Sequence, residues 1–370
     1  MTSDETYMLR ALDLARQGEG RTCPNPPVGA VIVSGTTIVG EGYHPAAGEP
    51  HAEIFALRAA GSGARGATVY VTLEPCAHHG RTGPCAEALI EAGVKRVVAG
   101  IQDPNPQVAG RGFALLRDKG IEVEVGVREA ESRRLIAPFA KHLTTGLPFV
   151  TLKSALTLDG KTATSLGESQ WISCEASREL VHQLRNRVDG IMAGIGTVLR
   201  DNPRLTSRIS GASRDPVRVI VDSTLRTPLQ AAVIATDSAA ATLIATTPQA
   251  SKGQIRELER AGVEVLVCNE QEGRGVDLHD LMVQLGKYPL QHILLEGGGI
   301  LNQSLLAAGL IDRVMLFVAP LLMGGSDGKG LFSGHGPQHL TGAVQLSDLR
   351  VTEISGDLLI EGEVARCLPA

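Results

Sequence analysis

Short β-branched apolar runs alternate along the chain with stretches of helical period, and that alternation predicts an α/β protein. Residues 28–33 and 36–41 are β-branched runs around Ser34-Gly35, a dipeptide that signals a two-residue hairpin. A helix is predicted over 52–60, stopped by Gly61, then a strand over 68–73 and a short helix over 85–92. Strand, helix and strand follow over 96–101, 113–119 and 121–127. Residues 1–17 place Asp4, Glu5 and Asp13 among apolar positions and read as an amphipathic helix. Together these elements predict a three-layer α/β/α unit around a partly parallel sheet.

A further helix over 129–142 leads to a short break at 143–148, from Leu143 to Pro148. The pattern then restarts with a strand over 149–155 and a helix over 176–187. Strands are predicted at 189–193, 217–221, 242–245, 263–267 and 292–295, with helical stretches such as 252–261 between them. Two late β segments, 313–318 and 357–363, suggest a sheet that finishes with antiparallel strands. Two domains are therefore expected, 1–146 and 147–370, which also suits a chain of 370 residues.

Composition narrows the function. With 43% hydrophobic and 20% charged residues the chain can fill packed cores. Aromatics are only 3% and the formal net charge is −5, so a long nucleic-acid strand would find neither a basic surface nor many stacking platforms. A small-molecule substrate is expected instead. The acidic first segment argues against a signal peptide, and the longest late apolar run, 314–323, is far below the roughly 20 residues of a membrane span. A cytoplasmic protein with no membrane partner is the expectation. Six cysteines are too sparse for a disulfide framework, so Cys23, Cys174, Cys268 and Cys367 are expected to be free thiols.

The other two cysteines belong to a split cluster: His51-Ala52-Glu53 upstream, Pro75-Cys76 and Pro84-Cys85 downstream. One imidazole and two thiolates balance the charge of zinc and fill three of its four tetrahedral positions, leaving the fourth for water. His51 and Cys85 both fall at predicted helix starts, where an anionic ligand is easier to hold. Glu53 is not needed as a ligand and can serve as the carboxylate that moves protons at the metal's water. His78 and His79 are further ligand candidates by residue type, but a fourth protein ligand would close the site, so contacts with an anionic substrate are preferred.

The second half carries its own signals. Leu295-Glu296-Gly297-Gly298-Gly299 ends a strand and opens a helix pattern over 301–308, so it is either a phosphate-binding glycine turn or an ordinary one. Gly194-Ile195-Gly196-Thr197, followed by 201–208, is a second glycine turn with polar and cationic residues downstream, under the same alternative. Lys153 lies within an apolar strand, where it must be paired, functional or snorkelling to the surface.

The string 72–85, Thr-Leu-Glu-Pro-Cys-Ala-His-His-Gly-Arg-Thr-Gly-Pro-Cys, resembles the zinc loop of the bifunctional deaminase/reductase family of riboflavin biosynthesis, with Gly83 where that family has proline. The H-x-E and P-C arrangement is also that of zinc nucleobase deaminases generally. Residues 24–30, Pro-Asn-Pro-Pro-Val-Gly-Ala, resemble the family's early substrate loop, which implies that Asn25 binds the pyrimidine. In the second half the resemblance rests on 153–155, 158–163, 167–173, 196–203, 222–226 and 296–299. It implies a cytidine-deaminase-like first domain and a dihydrofolate-reductase-like second domain, with Zn2+ and NADPH as cofactors. It further implies dinucleotide contacts from Ala155, Trp171, Thr197, Asp201, Ser223 and the run Gly298, Gly299, Ile300, Leu301, Asn302, Gln303 and Ser304. Substrate contacts are implied for Ser169, Arg185, Leu205, Arg208 and Glu296, the two guanidiniums matching a phosphate.

The expected activity is hydrolytic deamination of a phosphorylated ribosylaminopyrimidine, followed by NADPH-dependent reduction of its ribose to a ribityl chain. Lys153 and Glu296 are the candidates for polarising or protonating the opening sugar. Ser223 and Arg226 could meet a 2′-phosphate after the strand 217–221, and a homo-oligomer is expected. A nucleoside or tRNA deaminase with an unrelated second domain would need a basic groove, which the acidic balance opposes. A sensor that holds a phosphorylated ligand without turnover is the alternative outside enzymes.

Overall fold

Ser34 faces Thr37 across a turn in which Gly35 takes φ +62°, a left-handed conformation that favours glycine, so the hairpin closes where its sequence signal lies. The computed structural model describes residues 2–77, 83–106, 108–211, 214–271, 273 and 275–365; His78, His79 and Cys367 lie outside them. The chain divides into two units, Met1–Gly146 and Leu147–Ala370.

The first unit runs α1 (Ser3–Ala15), β1 (Gly29–Ser34), β2 (Thr37–Tyr43), α2 (Ala52–Ala60), β3 (Thr68–Val71), α3 (Cys85–Ala92), β4 (Arg96–Ala99), α4 (Arg111–Asp118), β5 (Glu122–Val125) and α5 (Glu129–Thr145). The sheet order is β2-β1-β3-β4-β5, antiparallel through β2, β1 and β3 and parallel from β3 to β5. Strand alternation then builds the layers. Ala30, Ile32, Val69, Val71 and Val97 bury against α2, α3 and α4 on one face. Val31, Val33, Tyr70 and Val98 meet Met8, Ala11 and Leu12 of α1, with Leu135 of α5, on the other. Close approach is what Gly42 permits, since a Cβ there would sit 2.5 Å from the Ala52 carbonyl oxygen of α2.

The expected break at 143–148 is shorter than the composition suggests. Thr144 and Thr145 stay in α5 because their hydroxyls donate back to the carbonyls of Ala140 and Lys141, at 2.8 and 2.7 Å, and the helix ends only at Gly146.

The second unit runs β6 (Phe149–Thr157), β7 (Lys161–Ala163), α6 (Glu175–Arg187), β8 (Gly190–Gly194), α7 (Ile195–Asp201), β9 (Val217–Val221), α8 (Ala232–Ala235), β10 (Thr242–Thr246), α9 (Lys252–Arg260) and β11 (Glu264–Val267). It continues with β12 (Glu270–Gln271), β13 (Gly275–Val276), α10 (Leu278–Leu285), β14 (His292–Leu295), α11 (Gly299–Ala307), β15 (Arg313–Ala319), β16 (Lys329–Gly330), β17 (Leu346–Ile354) and β18 (Asp357–Val364). Nine of these strands form one sheet in the order β11-β10-β9-β8-β14-β6-β15-β18-β17. Val150, Leu152, Met192, Val219, Ile293 and Leu295 pack towards α10 and α11, while Ile191, Ala193, Ile220, Ile244 and Leu294 pack towards α7 and α9.

The sheet finishes with antiparallel strands, as the segments 313–318 and 357–363 suggest: β15 pairs with β18 and β18 with β17. On its other side β15 runs parallel to β6, because α11 carries the chain back across the sheet face before β15 begins. The strand β17 has no signature of its own, since nearly all of it is exposed and polar and apolar residues follow no buried alternation. The turn at 194–197 is the start of α7, with Gly194 as its cap and Asn202 ending it at φ +39°. Among the described residues no helix is long and apolar enough to cross a membrane.

Candidate active sites

In the first unit three chain segments deliver the ligand set. His51 is the N-cap of α2, Cys76 follows β3, and Cys85 is the first residue of α3. His51 Nδ1 lies 3.7 Å from Cys76 Sγ and 3.3 Å from Cys85 Sγ, and the three donor atoms fall within 4.8 Å of one another. Tetrahedral zinc with Zn–S near 2.3 Å and Zn–N near 2.0–2.1 Å would set nitrogen and sulfur about 3.5 Å apart, so the donors fit that ion. The backbone N–H of Cys85, at the N-terminus of α3, donates to Cys76 Sγ at 3.3 Å. Hydrogen bonding from Cys85 and from His51 holds the Cys76 thiol down, while the same contact with Cys76 pushes Cys85 up. Two adjacent sulfurs, Cys76 half-buried and Cys85 buried, resist carrying two negative charges, and a divalent cation removes that resistance.

Glu53 is 3% exposed in the first turn of α2, with its carboxyl against Cys85. Burial, reinforced by the charge at Cys76, pushes it up to about 7. A carboxyl poised there can both accept and release a proton near neutral pH.

Two residues that the sequence did not single out complete this site. His44 is buried; its Nδ1–H donates to the Pro50 carbonyl at 3.0 Å and its Nε2 accepts from the Asn25 amide at 3.1 Å. Its ring also stands edge-on to that of His51, so Asn25 is tied to the metal ligands through one imidazole. Burial lowers the His44 pKa, which keeps that imidazole in the neutral form. Glu74, 4% exposed, accepts from the backbone N–H groups of Asp103, Gly110, Gly112 and Phe113 at 3.2, 2.9, 2.9 and 3.4 Å. It anchors the segment before Cys76 to the start of α4, where a Cβ on Gly112 would sit 1.9 Å from the Pro75 carbonyl oxygen. An acidic residue beside Pro-Cys was visible in the sequence, but its partners lie about thirty residues on.

In the second unit, sheet register does the assembling. Leu295 of β14 is paired with Leu152 of β6, which brings the next residues, Glu296 and Lys153, side by side. Lys153 Nζ lies 3.5 Å from Glu296 Oε2, so the lysine is paired and does not snorkel. Arg185 of α6 sets its fork on the same carboxylate, Nε to Oε1 at 2.8 Å and Nη2 to Oε2 at 2.9 Å, with Nη1 on the Thr206 carbonyl at 3.1 Å. Burial alone would raise Glu296, but Arg185 and Lys153 hold its carboxyl down at about 2. Arg185, read from sequence as a phosphate contact, thus spends its fork on Glu296. Arg208 donates to His182 Nε2 from Nε and Nη2, at 3.3 and 3.1 Å. Leu205, buried at φ +53°, gives the loop before Arg208 its sharp bend.

The residues expected around the dinucleotide cluster at the C-terminal ends of parallel strands, where α/β sheets bind ligands. Ala155 is on β6; Thr197 is on α7 after β8; Ser223 follows β9; Gly298 and Gly299 open α11 after β14. Thr197 borders the glycine turn, its Oγ1 3.6 Å from where a Cβ on Gly298 would stand. Trp171 is 65% exposed with the Arg178 guanidinium 4.8 Å over its ring, Ser169 is half-buried beside it in sequence, and Asp201 ends α7 at the surface. Ser223 Oγ accepts from the Val276 N–H at 3.2 Å and keeps its own O–H to donate. Within 298–304 most side chains have protein partners: Leu301 is in the core, the Asn302 amide donates to the Leu331 carbonyl, the Gln303 amide to that of His335 and the Ser304 hydroxyl to that of Ile300. What this helix start can offer a pyrophosphate is its backbone N–H groups at Gly298, Gly299 and the exposed Ile300, which fits a dinucleotide.

Fold and sites define an enzyme that joins a zinc-dependent deaminase to a dinucleotide-dependent reductase. Family models match both halves: the cytidine and deoxycytidylate deaminase zinc-binding region over residues 1–101 and the RibD C-terminal domain over 148–360. The riboflavin biosynthesis protein RibD of Actinobacillus pleuropneumoniae is 46% identical over 360 residues, 97% of this chain and 95% of that protein. The RibD of Escherichia coli is 45% identical, covering 96% of this chain and 98% of its own. Solved structures of Acinetobacter baumannii RibD and of a Thermotoga maritima diaminohydroxyphosphoribosylaminopyrimidine deaminase/5-amino-6-(5-phosphoribosylamino)uracil reductase each superpose with a TM-score of 0.83, at 39% and 36% identity, over 98% of this chain and 99% of theirs. The chain belongs to the RibD family. It is a bifunctional deaminase and reductase of riboflavin biosynthesis, with zinc and NADPH as its cofactors.

Proposed function

We propose that the chain carries out two consecutive steps on one phosphorylated ribosylaminopyrimidine. The first is hydrolytic deamination of 2,5-diamino-6-(5-phosphoribosylamino)pyrimidin-4(3H)-one; the second is reduction of 5-amino-6-(5-phosphoribosylamino)uracil to its ribityl form. The observation that carries this reading is the pairing, in one chain, of a His-Cys-Cys donor set beside a buried Glu53 with a Lys153–Glu296–Arg185 cluster beside a glycine turn.

His51, Cys76 and Cys85 would hold zinc, which when bound would supply an activated water. Glu53 would accept a proton beside these ligands and return it to the departing ammonia, a role its position near neutrality suits. Asn25, oriented by His44, presents its amide to the pyrimidine edge.

The backbone of 298–300 with Ala155, Thr197, Asp201, Ser223 and Trp171 would hold NADPH, which when bound would supply hydride for the sugar carbon attached to nitrogen. Glu296 stays an anion and cannot be the proton donor. Its carboxylate fixes Lys153, and Lys153 Nζ hands a proton to the ring oxygen as the ribose opens. Ser169, Leu205 and Arg208 hold the substrate, Arg208 at its phosphate. His78 and His79 keep the role of anion contacts assigned from sequence.

The protein acts in the cytoplasm, a reading supported by Cys174 and Cys268, which are in no disulfide. A homo-oligomer is favoured by the edge strand β17, which exposes Leu349 and Val351 at 60% and 63%. The whole reading is tested by supplying the diaminopyrimidine phosphate with NADPH to zinc-loaded protein. Ammonia release followed by NADPH oxidation is expected in the same tube; ammonia with no NADPH oxidation even from the deaminated substrate would refute the second step.

A further inference from the structure

We infer that His182 is the positioning residue that aims Arg208 at the phosphate of the reductase substrate, and that it thereby sets this half's preference for phosphorylated over dephosphorylated sugar. The inference rests on the proposed placement of that phosphate at Arg208.

His182 lies on α6 one turn before Arg185, and i,i+3 residues share a helix face. The two arginines that the chain brings here have different partners. The Arg185 fork is consumed by the Glu296 carboxylate, whereas among the described residues Arg208 donates to the single acceptor His182 Nε2, through Nε and Nη2. One edge of the Arg208 fork is thus held and Nη1 is left for a ligand.

The contact sits on a loop that is itself fixed. The Ser207 hydroxyl donates to the His182 carbonyl at 3.1 Å, the Ser207 N–H to Asp215 Oδ1 at 2.9 Å, and Arg185 Nη1 to the Thr206 carbonyl at 3.1 Å. Burial first, then the charges of Arg185 and Arg208, drive the His182 pKa down to about 4, so the imidazole is neutral and able to accept at working pH. Arg208 feels the like charges of Arg185 and Arg204, with Glu296 the opposing carboxylate. The choice of a neutral imidazole has a consequence: a carboxylate in its place would orient Arg208 but neutralise it, while histidine orients the guanidinium and leaves its charge for a dianion.

The test compares His182→Leu and His182→Gln in the reduction step, with the phosphorylated substrate, its dephosphorylated counterpart, and inorganic phosphate as inhibitor. Losing the shared acceptor of two guanidinium N–H groups predicts about a tenfold rise for His182→Leu in the KM of the phosphorylated substrate and in the phosphate Ki. The kcat, the NADPH KM and the KM of the dephosphorylated compound should stay within about twofold. His182→Gln should recover most of the loss, because its Oε1 accepts from Arg208. Unchanged KM in His182→Leu, while Arg208→Ala raises it, would overturn the positioning role and leave the phosphate assignment standing. Unchanged KM in Arg208→Ala would overturn both. A fall in kcat with KM constant would show a structural role instead, and the fluorescence of Trp171, which lies in the same unit, checks that the variants fold.

Discussion

Glu53 and Glu296 are both carboxyls removed from water, one in each half of the chain, and their environments drive them in opposite directions. Among the described residues Glu53 has no cationic partner beyond His51, and burial with the Cys76 charge lifts it to about 7. Glu296 keeps its side chain only 12% exposed, yet Arg185 and Lys153 hold it at about 2. Burial alone therefore does not make a proton carrier; the count of fixed cations within hydrogen-bond reach decides. In the proposed mechanism the first carboxyl moves protons, and the second stays charged and holds the lysine that moves them.

The comparison breaks most sharply at Glu53. Glu53→Gln should retain zinc and lose deamination by about 10²–10⁴-fold, the usual contribution of a positioned base, while still reducing supplied deaminated intermediate. Metal analysis and ammonia release check this; a variant with near-parental ammonia release would remove the proton-carrier role.

At Glu296 the expected effect is on stability. Arg185→Met leaves a buried carboxylate with Lys153 alone and should cost about 3–5 kcal/mol, part of it recovered when Glu296→Gln is added. The chain's one tryptophan, Trp171, lies in the second unit, so its fluorescence during denaturant unfolding reports that half. Equal midpoints for the single and double variants would contradict the pairing.

Acid supplies a related measurement. The Glu296 carboxyl is lowered from 4.5 to about 2 on folding, so its contribution is fully present above about 4.5 and is lost as pH falls through about 2. The shift corresponds to about 3 kcal/mol. Glu296→Gln should flatten the Trp171-detected stability profile in that window, and a profile of unchanged slope would count against the depressed carboxyl.

The smallest effect concerns cofactor choice. Arg226 is exposed just beyond Ser223, so Arg226→Ala should lower the NADPH over NADH preference in kcat/KM by about tenfold or less, the scale of one surface phosphate contact. No change in the ratio would take Arg226 out of the 2′-phosphate site.

The zinc half was legible because its ligands sit at element ends that the sequence marks. Gly61 stops α2 where a helix stop is expected, α3 begins at Cys85 after proline, and His51 caps α2, so spacing alone nearly specifies the geometry. The reductase half was legible only in its parts. Lys153 read as an awkward lysine in an apolar strand and Glu296 as a residue before a glycine turn, while Arg185 promised a phosphate contact.

From the sequence by itself came the alternation of strands and helices, the division after α5, the metal donors and the free glutamate, all of which depend on local period, caps and short spacings. Tertiary structure decided the rest. Glu296 is separated from Arg185 by 111 residues and from Lys153 by 143, and only the β14–β6 register and the packing of α6 bring the three together. The same holds for Glu74, whose donors come from the start of α4, and for the exposed β17, which becomes a strand by pairing with β18. A carboxyl's charge state is set by whatever groups surround it in space, and a linear sequence does not contain those distances.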